Sequence, residues 1–407
     1  MNATVTQLAA APLFSPAFVQ DPYPTYREHL AGPPVQPLLA MPGRWAAFHY
    51  NACSELGRDP RLSSARRVPN FFPVAAEDRL EFDDLFQHLG RWLLMKDAPE
   101  HSRLRKAMNA GFSPSAIERL KPRIAAVVDE LLRDLELVAE PDLIRDLAYP
   151  LPVRVISRLL GVPDLVHARC IALSTDFATW FGDPTRTAAA ARTAQTAVRQ
   201  LAALFEVIIR ERTGRNEGDL LDLMLEIASQ AELAPEDLYA QCVLLLFAGH
   251  ETTRNLIGNG LYTLLRHPDA LAEVRTSDSA VRAAIEEVLR YESPVQAYGR
   301  AATQDIDYED VRIPAGSSVF FMIAAAQRDP RHVPDPDRFD IHRKHNRHLA
   351  FGVDAHVCLG STLARLEGQI AIGEMLKRFP ALTLVDPRPE WSPVYAFRGL
   401  RRLRVRL

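Results

Sequence analysis

Cys358 is the residue of this sequence whose type and position most directly suggest chemistry. A loop that contains glycine precedes it, and residues 359–379 follow with the apolar periodicity of an α-helix. At the amino end of a helix, unpaired N–H groups and the helix dipole favour a thiolate, the form of cysteine that binds metals. The other cysteines, Cys53, Cys170 and Cys242, show no C-x-x-C spacing, which predicts neither a disulfide framework nor a four-thiolate zinc site. From residue type alone, a buried and inert thiol remains the alternative for all four.

A second set of reactive side chains interrupts the most apolar stretch of the chain. Residues 235–267 predict one long buried helix, roughly 50 Å at 1.5 Å per residue. Its middle carries Gly249, His250, Glu251, Thr252 and Thr253. Glycine weakens a helix and threonine hydroxyls bond carbonyls one turn back, so we expect a bend there. A carboxylate beside a hydroxyl suits proton transfer, and bonding within the helix is the equally open alternative.

The elements around these residues are mainly helical. Residues 115–138 and 192–214 have apolar residues three and four apart, as amphipathic helices do. Alternating or β-branched sequences are confined to residues 44–50, 311–322 and 400–407, so the predicted fold class is mainly α with small β-sheets. We expect residues 1–407 to form a single domain, with about 1–18 as a loosely ordered tail.

Composition excludes several classes of function. Hydrophobic residues make up 47% and charged residues 24% of the 407, and the formal net charge is −3, which is ordinary for a globular enzyme and gives no sign of nucleic-acid binding. The amino terminus has neither a basic leader nor an apolar run that could cross a bilayer. We therefore expect a cytoplasmic protein without a membrane anchor.

The stretch FGVDAHVCLG, residues 351–360, resembles the haem-thiolate signature of the cytochromes P450. Phe351 lies seven residues before Cys358, and Gly360 lies two after it. Four further stretches resemble motifs of that family in the family's order: HSRLR at 101–105, AGHETT at 248–253, EEVLR at 286–290 and PDRFD at 336–340. The resemblance implies a cytochrome P450 fold, with the long central helix passing over a haem.

The resemblance also implies roles for individual residues. Cys358 would be the proximal ligand of the iron of haem b, and Glu251 with Thr252 would be catalytic groups that deliver protons to bound dioxygen. Glu287 and Arg290 would form a structural ion pair that ties their helix to the irregular segment before the cysteine loop. The implied cofactor-binding residues are His101, Arg105, Ala248, Gly249, Arg300, Phe351, His356, Cys358 and Gly360.

The implied activity is that of a monooxygenase hydroxylating a mostly apolar small molecule, such as a natural-product intermediate. Epoxidation, oxidative coupling or C–C cleavage at the same haem remain alternatives, as does a haem-binding sensor without catalysis. The candidate substrate residues are Phe71, Phe72, Phe86, Trp180, Phe181, Leu245, Val295, Tyr298 and Phe397.

Because the sequence has no G-x-G-x-x-G unit for a flavin or nicotinamide, electrons are expected from a separate ferredoxin and ferredoxin reductase. The P450 itself is expected to be a monomer. A basic docking face for an acidic carrier could include Arg103, Lys106, Arg343, Lys344 and Arg365.

Two features compete with or depart from this resemblance. His342, His345 and His348 lie three apart, as zinc ligands can, but the cations among them would repel a metal ion, and HETTR at 250–254 lacks the second histidine of a zinc helix. The family usually has glycine four residues before the cysteine, where this chain has Asp354. Aspartate tolerates a left-handed backbone, so the loop is expected to form, with a carboxylate that could reach a haem propionate or alter the haem's potential.

Overall fold

The computed structural model describes residues 13–66, 79–182, 187–212, 214–215, 218–230, 233–388 and 390–407. The α-helices of these residues are Pro16–Gln20, Tyr23–Leu30, Tyr50–Leu56, Asp83–Arg91, Glu100–Met108, Pro114–Glu118, Lys121–Glu136, Pro150–Leu159, His167–Gly182, Ala188–Arg212, Leu220–Gln230, Pro235–Leu265, Pro268–Val274, Asp278–Tyr291, Ile323–Ala326 and Ser361–Arg378. Short 3₁₀ turns cover Arg79–Phe82, Leu93–Met95, Asp164–Val166 and Asp354–His356, and a π-helical turn covers Ile144–Ala148.

Strands form three small sheets. Their bounds are β1 Val35–Pro37, β2 Arg44–Ala47, β3 Leu62–Ser63, β4 Tyr298–Ala302, β5 Ile306–Tyr308, β6 Val311–Ile313, β7 Ser318–Phe321, β8 Thr383–Leu384 and β9 Val405–Arg406. The largest sheet has the order β1-β2-β7-β4-β3, while β5 pairs with β6 and β8 with β9. Within it, β2 and β7 are parallel, with Arg44 opposite Ser318, and the other pairs are antiparallel. The predicted class, mainly α with small sheets, is confirmed.

The helix Pro235–Leu265, called the central helix below, is the element predicted over 235–267. Pro235 occupies its first turn together with Glu236 and Asp237, where a fixed proline φ and negative charges suit a helix start. Its 31 residues span about 46 Å, and it packs against Pro150–Leu159, Ala188–Arg212 and Ser361–Arg378. This helix is therefore buried along most of its length, as its apolar sequence predicts.

Other elements predicted from the sequence are present, with bounds that differ slightly from the predicted ones. The helix predicted over 115–138 is in fact two helices, Pro114–Glu118 and Lys121–Glu136. The longer one has Pro122 in its first turn, where proline suits a helix start. At the carboxyl terminus, Arg404 and Arg406 are exposed while Leu403 and Val405 are buried. The alternating sequence predicted over 400–407 thus has one buried and one exposed side, and its strand is β9.

Part of the expected loose tail is instead ordered. Residues 16–18 belong to the helix Pro16–Gln20, and Phe18 is only 4% exposed. Phe18 packs with Tyr26, Phe48 and Tyr395 in an apolar cluster beside the five-stranded sheet. Residues 1–12 of that tail lie outside the described residues, and the single domain over 1–407 stays a prediction.

Candidate active site

Cys358 ends a tightly turned loop before the helix Ser361–Arg378, called the proximal helix below. The Cys358 N–H donates to the Phe351 carbonyl at 2.8 Å, and Val357 N–H donates to the Asp354 carbonyl at 3.0 Å. Gly352 and Asp354 both have left-handed backbones, with φ of 74° and 56°. Asp354 therefore replaces the expected glycine without loss of the turn, as predicted. Its carboxylate is exposed and does not line the cavity described below.

The four cysteines are free thiols, and Cys358 differs from the others in exposure. Cys53, Cys170 and Cys242 are buried, whereas the Cys358 side chain is open to a cavity. Desolvation raises the pKa of the Cys358 thiol, against the opposing effects of the Gly360 N–H and of the cations Arg105 and Arg365. The Gly360 N–H at the start of the proximal helix lowers the pKa of this thiol, as predicted for a helix end, while burial raises it by more. A metal cation would supply the missing stabilisation, since coordination deprotonates a thiol.

The cavity above Cys358 has a volume of about 340 Å³ and brings the predicted residues together. All nine implied cofactor-binding residues line it, and so do Glu251 and Thr252. Of the candidate substrate residues, it is lined by Phe181, Leu245, Val295, Tyr298 and Phe397.

Four substrate candidates are not placed in this cavity. Trp180 is 1% exposed and packs against Phe177 within the helical core, and Phe86 packs against the same core from the helix Asp83–Arg91. Neither lines the cavity, because each aromatic side chain fills a gap between helices instead. Phe71 and Phe72 lie outside the described residues.

One end of the cavity is cationic. Arg105 donates to the Val357 carbonyl at 2.6 Å, and the buried Arg300 side chain donates to the Gly299 carbonyl at 3.1 Å. The rings of His101 and His356 lie 4.0 Å apart, and the buried Nε2 of His101 has no hydrogen-bond partner among the described residues. Burial and the neighbouring Arg300, His101 and Arg105 lower the pKa of His356 to about 3. This constellation is therefore arranged to receive an anion.

Glu251 and Thr252 face the cavity from the middle of the central helix, but both have partners in the protein. Glu251 is buried and accepts two hydrogen bonds from the Arg254 guanidinium, at 3.0 and 3.1 Å. The Thr252 hydroxyl donates to the Ala248 carbonyl at 2.9 Å, which is the expected bond one turn back. That bond uses the hydroxyl proton and leaves oxygen lone pairs to accept a hydrogen bond from the cavity side.

Ala248 and Gly249 have different reasons for their small size. Ala248 is exposed within an otherwise buried stretch, because its side chain faces the cavity. A Cβ on Gly249 would instead lie 3.3 Å from Cγ1 of Ile156, on the neighbouring helix Pro150–Leu159. Both residues line the cavity, and the small size of Gly249 also permits close packing of two helices.

Glu287 and Arg290 form a buried ion pair rather than a solvated one. Their side chains meet at 2.7 and 2.9 Å, and both residues are no more than 2% exposed. Arg290 also donates to the carbonyls of Gln327, Pro336 and Arg338, at 3.2, 2.8 and 3.1 Å. The pair therefore connects the helix Asp278–Tyr291 to the irregular segment 327–346, the geometry that the resemblance implied.

The histidines of the zinc alternative do not converge. His342 contacts Glu273 at 3.0 Å, while His348 contacts Glu286 at 3.0 Å on another side. Among the described residues, no group of three or more histidine, cysteine or acidic side chains could hold a metal ion. The zinc interpretation has no support.

Two features of the cavity were not predicted from the sequence. Glu367, on the proximal helix, lines the cavity while fully desolvated, and burial raises the pKa of its carboxyl group to about 8. A single acidic residue among apolar neighbours in ARLEGQIAI was a usable signal for it. Phe14 and Met41 line another side of the cavity, and no local pattern singles them out.

Three features together characterise the site. A thiol opens on an apolar cavity, a long helix passes along that cavity, and a cluster of cations lies beside the thiol. A family model described as "Cytochrome P450" matches residues 176–393. Cytochrome P450 monooxygenase PikC from Streptomyces venezuelae is 38% identical over 96% of this chain and 92% of its own length. The chain belongs to the cytochrome P450 family and is a haem-thiolate enzyme, a monooxygenase.

Solved structures of similar sequence have the same fold. P450BioI, in complex with an acyl carrier protein that bears hexadec-9Z-enoic acid, superposes with a TM-score of 0.88 at 34% identity, over 97% of this chain and 100% of that one. A myxobacterial P450, CYP267B1, in complex with myristic acid, gives 0.88 at 34% identity over 97% and 99%. The predicted cytochrome P450 fold is confirmed.

The residues present fit a haem. An iron porphyrin needs one axial ligand and cationic partners for its two propionates, and Cys358 with the cluster of His101, Arg105, Arg300 and His356 offers both. The buried, unpartnered Nε2 of His101 is the observation that most directly calls for such an anion. In the described part of the chain, no helix is long and apolar enough to cross a membrane.

Proposed function

We propose that this protein hydroxylates a mostly apolar small molecule, using haem b, dioxygen and electrons from a separate carrier. The observation that carries the proposal is the 340 Å³ cavity, which joins the open Cys358 thiol to an apolar wall that includes Leu245, Phe181 and Phe397. Such a cavity excludes water from a bound substrate and holds it close to the cofactor.

The side chains of the cavity divide the work. Cys358 would bind the iron as thiolate, and the four cationic or imidazole groups at the cavity's end would pair with the propionates. When bound, the haem supplies dioxygen activation. Thr252, whose hydroxyl proton is used by the Ala248 carbonyl, has lone pairs free to accept a hydrogen bond from the cavity side, and Glu251, held by Arg254, would take up protons and relay them inward.

Two relatives support an elongated apolar substrate. One is in complex with an acyl carrier protein that bears hexadec-9Z-enoic acid, and the other is in complex with myristic acid. We infer a related shape for the substrate here, because the lining of this cavity is mostly aromatic and aliphatic. Product analysis would separate hydroxylation from epoxidation, coupling or C–C cleavage.

Electron delivery through a ferredoxin and its reductase is part of the same proposal. Of the five cations expected on a docking face, Arg103, Lys106 and Lys344 are exposed. Arg365 is instead bound to Glu286 at 2.7 and 2.9 Å, and Arg343 donates to the carbonyl of Pro334 at 2.6 Å. The docking face is therefore narrower than expected, with three of the five side chains able to meet an acidic carrier.

The decisive experiment replaces the iron ligand. We expect Cys358→Ser to abolish the thiolate-type difference spectrum of the reduced carbon monoxide complex, because a serine hydroxyl is a poor substitute for thiolate. Cys53→Ser is the matched control, since Cys53 does not line the cavity and its side chain donates to the Ala47 carbonyl, a bond that serine keeps. An unchanged spectrum in the Cys358 variant, or a wild-type protein purified without haem, would refute the proposed function.

A further inference from the structure

One wall of the cavity combines residues of the amino-terminal region with a residue near the carboxyl end of the chain. Phe14, Met41 and Tyr395 line it, and we call these three residues the N-terminal wall. All three pack in or against the apolar cluster of Phe18 and Tyr26, which is separate from the cluster around the central helix. This side of the cavity therefore belongs to a different part of the fold from the wall that carries Glu251 and Thr252.

Aromatic contacts fix the Phe14 side chain in the wall. The rings of Phe14 and Tyr395 meet edge to face, with centroids 4.2 Å apart and an angle of 79°. Phe18 lies 6.5 Å from Phe14 and 5.6 Å from Tyr395. Edge-to-face pairs at these separations are favourable, so the Phe14 ring has a defined position against the cavity.

The backbone of Phe14 is held in an unusual conformation. Its φ is +75°, in the left-handed region that a bulky residue rarely adopts. The chain that follows is anchored, because the Ser15 hydroxyl caps Phe18 N–H at 3.1 Å and the Val19 carbonyl accepts from Arg398 at 2.9 Å. Strain of this kind persists where surrounding contacts over-determine the conformation, and it often marks a residue with a binding role.

A second anchor ties the same segment to the chain near its carboxyl end. The Gln20 side chain donates to the Trp391 carbonyl at 3.3 Å and accepts from the Trp391 N–H at 3.1 Å. Trp391 in turn forms a bridge with Leu400, in the segment that also places Phe397 in the cavity. The N-terminal wall is thus fastened to residues that line the substrate space, and it is not a loose extension.

The chemistry of the wall is apolar. Its polar side-chain atom is the Tyr395 hydroxyl, which is turned toward the Met322 sulfur at 3.6 Å. Burial raises the pKa of Tyr395, so this phenol stays neutral. A surface made of a phenyl ring, a thioether and the face of a neutral phenol suits hydrocarbon and offers no partner for a charged group.

We propose that Phe14 is a specificity-determining residue, which with Met41 and Tyr395 contacts the apolar end of the substrate and so limits its length. The proposal rests on the proposed function, because it assumes that a haem fills the Cys358 side of the cavity. The ring of Phe14 would then act as a stop. Replacing Phe14 with a smaller residue should lengthen the space available to the substrate, and replacing it with a larger residue should shorten that space.

The test uses ligands whose imidazole binds the haem iron, so that the ligands differ only in the length of the alkyl chain that extends from it. Haem-loaded wild type, Phe14→Ala and Phe14→Trp are titrated with 1-butylimidazole and 1-dodecylimidazole, and the shift of the haem absorption band gives each Kd. We expect Phe14→Ala to bind the dodecyl ligand roughly tenfold more tightly relative to the butyl ligand, and Phe14→Trp to shift the ratio the opposite way. Leu13→Ala, a neighbour that does not line the cavity, should leave the ratio unchanged.

The outcomes separate the two proposals. If butylimidazole causes no spectral shift in the wild type, the proposed function fails and the length limit fails with it. If both ligands shift the spectrum but the Phe14 variants leave their affinity ratio as in the wild type, only the role of Phe14 is overturned. Met41→Ala provides a second variant, with the same expected direction as Phe14→Ala, in case alanine at position 14 disturbs folding.

Discussion

Exposure separates the functional cysteine from the structural ones. Cys53, Cys170 and Cys242 are enclosed by apolar neighbours, and burial raises the pKa of each. The pKa of Cys358 is raised as well, yet its sulfur opens on the cavity. Among these cysteines, the candidate metal ligand is therefore the one whose sulfur a metal ion can reach. Its raised pKa does not argue against that role, because metal binding itself deprotonates the thiol.

Thr252 provides a test of proton delivery at the residue scale. In Thr252→Ala the hydroxyl that bonds the Ala248 carbonyl is lost, and with it the lone pairs that face the cavity. We expect the product formed per NADPH consumed to fall by roughly tenfold or more, because protons no longer arrive in step with electrons. Thr252→Ser keeps the hydroxyl and should stay near the wild-type ratio. Equal coupling in the alanine variant would count against a catalytic role for Thr252.

Sequence alone located the residues that belong to short motifs of fixed spacing. Cys358, Phe351 and Gly360 are local neighbours, and the structure places them together at the cavity. Aromatic type was a weaker guide, since Phe181 and Phe397 line the cavity while Trp180 is fully packed in the core. An aromatic side chain fills a protein interior or a binding site equally well, so only tertiary packing decides between them.

Among the elements, the helix Asp278–Tyr291 and the segment 327–346 depend on one buried charge pair. Glu287 accepts from Arg290, from the Asp340 N–H at 2.9 Å and from Asn346 at 3.2 Å. A motif with i, i+3 spacing could not reveal this, because the same spacing occurs in solvated pairs. A solvent-exposed pair with this spacing would contribute little to stability, whereas the buried pair connects two elements.

The variant Glu287→Gln tests that connection. Glutamine leaves the Arg290 guanidinium buried without a countercharge, so we expect the free energy of unfolding to fall by about 3–5 kcal/mol. Thermal unfolding of the purified protein measures this. Glu81→Gln, which removes an exposed partner of Arg192 at 2.6 Å, is the matched control and should lower the free energy of unfolding much less, because solvent screens the exposed pair. A loss no larger than in the control would show that the buried pair is dispensable.

For the molecule as a whole, the sequence predicted the class, the family and the central helix, but not the full boundary of the cavity. Phe14, Met41 and Tyr395 come from distant parts of the chain and carry no shared pattern. Their proximity results from packing of the amino-terminal helices on the sheet and on residues near the carboxyl end. Such long-range packing has no local signature, so it could not have been predicted.

Global stability should depend on pH through Glu367. Burial raises the pKa of its carboxyl group from 4.5 to about 8, so the folded protein holds this proton more tightly than the unfolded chain. The associated stability is fully present below pH 4.5 and is lost as pH rises through about 8.

In Glu367→Gln this dependence is removed. Between pH 5 and pH 8.5, we expect the variant to lose less stability than the wild type, by a few kcal/mol, in denaturant unfolding experiments. Glu374 lies on the same helix and is exposed. The control variant Glu374→Gln should therefore show the same dependence of stability on pH as the wild type. Parallel profiles for wild type and Glu367→Gln would show that this carboxyl group does not titrate as described.

The parallel pairing of β2 with β7 has a consequence for how the chain is made. Arg44 leaves the ribosome long before its partner Ser318, and synthesis at about 5–20 residues per second means a delay of tens of seconds. During that interval the β1–β2 hairpin exposes an edge whose N–H and carbonyl groups are unpaired, a template for association with other nascent chains. Truncation anywhere before residue 318 would make this hazard permanent, and we expect such fragments to accumulate as insoluble aggregates.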